Sequence, residues 1–472
     1  MGGLRRFDLL ILLLLLIVQL AICIPFIQSF PIELDEPFTI YNSSRPLGET
    51  VSFLAEGNNP PLYFFVQHAW QSIFGTGPVA VRSLSLLISL ITISVFFVFI
   101  RKRAHLLLAT GASLVLIFAD SFHHFSMEAR MFQLYILFSL LALISLYRLL
   151  IEREGKAMVQ LVLWCVLALY THYLAVFVIG VFLILIGAYF KRLKEIQRKY
   201  YLVSAGLFLL MMMPLSFTLF SRGADFVKEG SWLMVPTARD LIEELFKLFT
   251  TPFNFLFFTL LITIFVLLMK KGVFKKTSFL FFLIAALSLF LGMFVFSLIV
   301  QPVFHERYLF VSLVFMLPMV VGFNTLEVKV GQLKYAFLGL ALPFMLSVNF
   351  VPDINRNTDE LVAEVEEKLQ EGYSVYYCPQ HFDLLLSYHF VEDFGEHDLS
   401  QLQLKMGEKG FFADCAGDLI IQQLPEKLLY IDFNLQYLYP DLNPNAVITT
   451  EYNWIEETAY AGGYMLKTYH KK

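Results

Sequence analysis

The chain has 472 residues, 58% of them hydrophobic and only 16% charged, with a formal net charge of −4. A water-soluble globular protein is roughly a quarter charged, so a soluble enzyme is excluded. A nucleic-acid binder is excluded too, because it needs a basic surface. Four cysteines are too few for a disulfide framework. Cys23 and Cys165 lie in apolar runs and read as small buried hydrophobes. Cys378 and Cys415 are free to pair if their domain lies in an oxidising, extracytoplasmic space.

The first apolar run follows Arg5 and Arg6. It is longer than a signal-peptide core and no small-residue cleavage site follows it, so it predicts an uncleaved first transmembrane helix. Further runs fall near residues 79–100, 104–120, 131–151, 157–171, 173–190, 201–220, 251–270, 277–300, 308–326 and 333–350. With 7–28 they make about eleven spans of bilayer length. The segment 60–74, "PPLYFFVQHAWQSIF", either spans or lies along the interface.

Loop charge decides, because cytoplasmic loops collect Lys and Arg. If 60–74 does not cross, Arg5 and Arg6 share one face with Arg101 to Arg103, with Arg148, Arg153 and Lys156, with "KRLKEIQRK", with Lys270, Lys271, Lys275 and Lys276, and with Lys329 and Lys334. This predicts a juxtamembrane helix over 60–74, the N-terminus inside and the C-terminus outside.

Composition shifts near residue 351, after which there are 21 acidic and 8 basic residues and no run long enough to span. "TDELVAEVEEKLQEG" predicts a helix opened by Thr358 and stopped at Gly372. "SVYYC" and "LLYIDF" predict strands, and "DLLLSYHF" a helix. Alternating elements predict a small α/β domain over 351–472, on the outer face of a transmembrane module over 1–350.

With that topology, five loops bring ionisable groups to the outer face. The polar residues landing there are Glu33, Asp35, Glu36, Asn42, Arg45, Asn58, Asn59 and His68; Asp120, His123, His124, Glu128 and Arg130; His172; Arg222, Asp225 and Trp232; and His305, Glu306 and Arg307. Transporters bind nearer the midplane, with charges inside broken helices. Charges gathered at one mouth point instead to interfacial chemistry on a substrate that is partly lipid. Taken singly, His123 and His124 read first as solvated loop histidines. "TARDLIEELFKLFT" has Thr237 and Asp240 at capping-box spacing and an apolar stripe at 241, 242, 245, 246 and 249. It reads as an interfacial helix lining or lidding a cavity, or as a plain surface connector.

"LDEPFTIY", "NNPPLYFFVQHAWQSIFG", "PVAVRSLS" and "HHFSMEARMFQLYILFSLLALISLYRLL" follow one another in order, with "YTHY" and "HERYLF" later. Over roughly residues 1–350 this series resembles bacterial polyprenyl-phosphate-sugar-dependent glycosyltransferases of the GT-C fold, similar to protein O-mannosyltransferases and aminoarabinose transferases. Asn58 and Asn59 stand where that family usually carries a His before the prolines.

The resemblance implies a polytopic α-helical GT-C protein with its outer-face catalytic loops at 29–78, 120–130, 221–250 and 301–307. It implies a polyprenyl-phosphate sugar donor, a glycan, lipid or protein acceptor, and inverting transfer at the extracytoplasmic face of the inner or plasma membrane. Asp35 takes the general-base position with Glu36 beside it, and two close carboxylates raise one pKa. Arg130, Arg307 and His305 are the donor-phosphate residues, since a leaving phosphate needs cationic and bidentate stabilisation. Glu128, His172, Tyr63 and Asn59 are expected in the substrate cavity. No cofactor is implied, and a divalent metal on Glu128 with His172 or His124 stays open, without a short ligand motif to support it. A lipid-diphosphate oligosaccharide ligase or polymerase, a lipid or sugar transporter, and a receptor-like protein remain as alternatives.

Overall fold

The computed structural model describes residues 5–32, 35–56, 59–228, 233–248, 276–323, 358–378, 382–433, 444–460 and 463–472. The expected spans 251–270 and 333–350, and Glu33, Asn58 and Trp232, lie outside the described residues. So do the side chains of Arg222 and Asp225.

In chain order the helices are α1 (Arg6–Ile27), α2 (Glu36–Ser44), α3 (Leu47–Glu56), α4 (Leu62–Phe74), α5 (Pro78–Arg101), α6 (Leu106–Ile117) and α7 (Asp120–Phe125). They continue with α8 (Phe132–Leu150), α9 (Ala157–Thr171), α10 (Ala175–Ala188), α11 (Arg198–Lys228), α12 (Ala238–Leu248), α13 (Lys276–Ile299), α14 (Glu306–Leu309) and α15 (Ser312–Met316). After them come α16 (Thr358–Gln370), β1 (Ser374–Cys378), α17 (Asp383–Phe390), α18 (Leu399–Glu408), β2 (Phe411–Ala413), α19 (Asp418–Gln423), β3 (Lys427–Asp432), α20 (Pro444–Glu451), β4 (Tyr452–Ala459) and β5 (Met465–Lys471).

The chain forms two compact units. One holds residues 1–25, 51–63 and 82–352, the other 26–50, 64–81 and 353–472. In the first, four helices among the described residues are long and apolar enough to cross a membrane: α1, α5, α8 and α13. At about 1.5 Å per residue, the 22 residues of α1 reach across a hydrocarbon core about 30 Å thick. The sequence predicts a span over 308–326. There the structure has two short helices, α14 and α15, followed by a 3-10 turn over Leu317–Phe323.

Charged helix ends orient this unit. Asp8 in the first turn of α1 accepts from Arg101 Nε at the last residue of α5, at 2.7 Å. The two helices therefore run antiparallel. Helix α4, 13 residues long, is too short to span. At its own end of α8, Glu152 receives Arg103 bidentately at 2.7 and 2.8 Å, and Arg192 Nη1 donates to Leu150 O at 2.9 Å.

A polar knot ties α1, α5 and α8 to the 120–131 loop. Gln19 Nε2 donates to Ser126 Oγ at 3.0 Å and to Ser89 Oγ at 3.3 Å. Gln133 Nε2 donates to Phe122 O at 2.9 Å and Ser126 Oγ at 3.0 Å. Polar groups in an apolar bundle are costly unless paired, so these bonds select one placement of the loop. His123 is buried and donates from Nε2 to Ile22 O in α1 at 3.1 Å. The loop-histidine expectation is corrected there: His123 is a structural pin.

The second unit contains a five-stranded sheet of order β2-β1-β3-β5-β4. Strands β1, β2 and β3 are parallel, and β5 and β4 close the sheet antiparallel. Central strands buried on both faces read as continuous apolar runs, and "VYY" in β1 and "LLYID" in β3 are buried throughout. Tyr376, Ile420, Leu428, Tyr430, Ile448, Tyr452 and Tyr469 form a core cluster. The predicted strands and the helix over 383–390 are present. Gly372, at φ +86°, ends the preceding segment in a left-handed conformation that favours glycine. Cys378, at the end of β1, is disulfide-bonded to Cys415 just after β2.

Candidate active site

The first unit gathers Glu128 and Arg130 from the loop before α8, His172 from the α9–α10 hairpin, and His305 and Arg307 from the start of α14. The loop after α7 is held by the Ser126 knot, and Arg130 N bonds Glu128 O at 2.8 Å in a tight turn. His124 Nε2 lies 3.4 Å from Glu128 Oε2, one helical turn away. Burial pushes the Glu128 carboxyl up, but His124, Arg307 and Arg130 outweigh it and hold its pKa below the ordinary value.

His172 breaks the α9–α10 hairpin with an extended backbone. Its Nδ1 accepts from Leu174 N at 3.1 Å, which leaves the proton of the neutral ring on Nε2. Its ring lies beside Phe132, Tyr135 and Tyr308, with centroids 5.8, 5.2 and 5.8 Å away. Burial depresses its pKa to about 3, with repulsion from Arg130 and Arg307 adding to the effect. The imidazole is therefore neutral at physiological pH, with two guanidiniums close enough to act on it.

Arg307 lies over the Phe132 ring, 5.8 Å from its centroid. His305 caps α14, its Nδ1 accepting from Arg307 N at 3.2 Å. Burial lowers its pKa to about 4; Glu306 opposes that shift, and Arg307 and Lys247 add to it.

Helix α12 contacts both α7 and α14. The capping box is present: Thr237 N donates to Asp240 Oδ2 at 2.6 Å and Asp240 N to Thr237 Oγ1 at 3.4 Å. Of the apolar stripe, Leu241, Leu245 and Phe246 are half-buried and Phe249 lies outside the described residues. Glu244 and Leu248 are buried while Ile242 is exposed. An amphipathic helix at a lipid boundary has two apolar surroundings to choose from, and this one turns Glu244 to the protein. Lys247 Nζ bonds Glu244 Oε1 at 2.7 Å and lies 3.8 Å from Glu306 Oε2. The sequence reading missed Lys247 and Glu244; their i, i+3 spacing was the available signal.

Asp35 and Glu36 belong to the second unit, where Asp35 precedes α2 and Glu36 opens it, buried. Tyr63 is fully buried with its hydroxyl 3.2 Å from Ser85 Oγ, a helix-packing contact. Asn59 is partly exposed ahead of α4. Among the described residues no group of three or more His, Cys, Asp and Glu side chains is placed to hold a metal. His124 and Glu128 offer two donors, and Arg130 and Arg307 make their surroundings cationic. That set suits an anion.

Residues 58–217 match the family model described as dolichyl-phosphate-mannose-protein mannosyltransferase. No curated protein matches the chain significantly in sequence. Among solved structures, the chain is similar to ArnT from Cupriavidus metallidurans in the apo state, with a TM-score of 0.56 and 13% identity over 97% of both chains. It is similar too to ArnT from the same organism bound to undecaprenyl phosphate, with a TM-score of 0.54 and 12% identity over 98% of this chain and 97% of that one. The chain therefore shares the fold of ArnT, and within it residues 58–217 are similar to the dolichyl-phosphate-mannose-protein mannosyltransferase family model.

Proposed function

We propose that the protein is an integral-membrane glycosyltransferase that moves a sugar from a polyprenyl-phosphate carrier to an acceptor hydroxyl at the outer membrane face. The observation that carries this reading is that Arg307 lies over the same Phe132 ring that flanks the buried His172, with the charges of Arg130 and Arg307 both disfavouring protonation of that imidazole. Two fixed guanidiniums in partly buried surroundings suit a phosphate monoester. The Nε2–H of His172 adds a neutral donor. Aromatic rings from Phe132, Tyr135 and Tyr308 exclude water around it. A relative of the same fold binds undecaprenyl phosphate, which is the class of lipid proposed here.

In the proposed reaction the acceptor oxygen attacks the anomeric carbon while the bond from that carbon to the phosphate oxygen breaks. The electron pair stays on the phosphate, which Arg130, Arg307 and His305 stabilise as it leaves. Asp35 takes the acceptor proton. The products are glycosylated acceptor, polyprenyl phosphate and a protonated carboxyl. A single displacement inverts the anomeric centre. Glu128, held ionised by His124, Arg307 and Arg130, balances part of the positive charge of the pocket.

Two features support the outer-face assignment: the Cys378–Cys415 disulfide, and the shared end of α1 and α5 at Asp8 and Arg101, where the cytoplasmic basic loops are expected. The test is loss of label from a radiolabelled polyprenyl-phosphate sugar in membranes holding the wild type or Asp35→Asn. Asparagine keeps the volume but cannot take a proton. Turnover that vanishes in the variant, at equal expression, supports the assignment. Equal turnover in both removes Asp35 from the chemistry, and no turnover in either across several sugars removes the transferase.

A further inference from the structure

Helix α2 has nine residues, fewer than the roughly 12–15 that a helix needs to persist alone in water. Its position is set by what surrounds it, and seven of its nine residues are buried. Within the second unit those surroundings include the C-terminal α/β segment, which touches α2 and its flanks on both sides of the turn that bears Asp35.

On the N-terminal side, His389 at the end of α17 donates from Nε2 to Ile32 O at 3.0 Å, three residues before Asp35. On the C-terminal side, Arg45 Nη1 donates to His397 O at 3.1 Å and to Tyr41 Oη at 2.8 Å. Between these anchors the Tyr41 ring meets Phe394, centroid to centroid at 5.6 Å. Gly395 lies so close to α2 that a Cβ there would stand 2.8 Å from Ser44 Oγ and 2.9 Å from Ser44 Cβ. Only a residue without a side chain admits that approach.

We propose that the C-terminal α/β segment is a clamp that fixes α2, and with it the carboxylates of Asp35 and Glu36, in the catalytic position. His389, Gly395 and Arg45 are its positioning residues. The proposal rests on Asp35 being the base of the transferase. Its physical content is that a base displaced by about 1 Å loses on the order of 100-fold in rate while donor binding is untouched. The segment is thereby coupled to chemistry through the placement of Asp35.

The experiment uses the full-length chain in lipid nanodiscs, with backbone hydrogen exchange over 36–44 and over α8 read beside kcat and KM for a polyprenyl-phosphate sugar. Gly395→Ala is expected to speed exchange over 36–44 and not over α8. It lowers kcat about 10- to 100-fold and leaves KM within about twofold. Adding Ser44→Gly removes the atoms the new methyl strikes and restores both readouts. His389→Leu behaves like Gly395→Ala, whereas His389→Gln, whose amide can still donate to Ile32 O, keeps most of the rate. Unchanged exchange over 36–44 in both Gly395→Ala and His389→Leu overturns the clamp. Faster exchange with an unchanged kcat, where Asp35→Asn is inactive, overturns the positioning role. A wild type that turns over no lipid-phosphate sugar sinks the transferase instead, and the exchange data then decide the clamp alone.

Discussion

His172 receives a hydrogen bond at Nδ1 from the backbone N–H of Leu174, 3.1 Å away. That bond fixes the tautomer, and burial with Arg130 and Arg307 nearby fixes the charge at zero. The ring's pKa of about 3 lies below the unfolded histidine value of about 6.5. Between those values the unfolded chain binds a proton that the folded chain refuses. Stability is therefore complete above pH 6.5 and falls as the pH drops, by about 1.4 kcal/mol for each pH unit in the window. The wild type in detergent is expected to keep a level Tm above pH 6.5 and lose it toward pH 4. His172→Asn, which can still accept from Leu174 N, should show a shallower loss. His305, lowered to about 4, leaves a residual slope. Identical slopes in both proteins would mean that His172 is not neutralised by its surroundings.

The Arg130 and Arg307 pair predicts how an anionic lipid is held. Lysine keeps the charge but loses the fork that grips two phosphate oxygens. Arg130→Lys or Arg307→Lys should weaken binding of polyprenyl phosphate about tenfold, and Arg→Met about 100-fold, consistent with roughly 1.5–3 kcal/mol for a charge-assisted contact. Titration of the lipid phosphate into nanodisc-held protein measures this. Wild-type affinity in both methionine variants would move the phosphate elsewhere.

Much of the fold was legible because apolar runs and caps are local. The "SVYYC" and "LLYIDF" strands, the Gly372 stop and the Thr237–Asp240 capping box all follow from neighbouring residues. The site was legible as a set of types but not as a geometry. Glu128, Arg130, His172, His305 and Arg307 come from three separate stretches, and nothing in their spacing says that Arg307 and His172 flank one Phe132 ring. Helix α12 shows a second limit. Its stripe at 241, 242, 245 and 246 was visible, yet at a membrane boundary an apolar face packs equally well on lipid or protein. The structure exposes Ile242 and buries Glu244. His123 shows a third, since only the fold brings it to Ile22 O.

The knot at Ser126 predicts a linked loss of stability and loop order. Gln133→Leu removes the donor to Phe122 O and Ser126 Oγ while keeping similar volume. Interhelical polar contacts in membrane bundles are worth roughly 0.5–2 kcal/mol, so the Tm should fall by a few degrees. Hydrogen exchange should rise over 120–131, the loop that bears Glu128 and Arg130, before it rises in α13. An unchanged Tm with unchanged exchange would show that the knot does not hold the loop.

The Cys378–Cys415 bond joins the ends of two adjacent parallel strands, β1 and β2, across a sequence separation of 37 residues. Closing a loop of that length restrains the unfolded chain and is worth roughly 2–4 kcal/mol in the chain-entropy account. The double variant Cys378→Ser/Cys415→Ser should therefore loosen the α/β segment, seen as faster proteolysis at the ends of β1 and β2, while α1 and α5 stay protected. The same bond reports which face the segment occupies, because such pairs persist in oxidising compartments. In intact cells a membrane-impermeant maleimide should label Cys378 and Cys415 only after a reductant is added. Labelling that needs permeabilised cells but no reductant would place reduced thiols in the cytoplasm, and the outer-face reaction would then have to be abandoned.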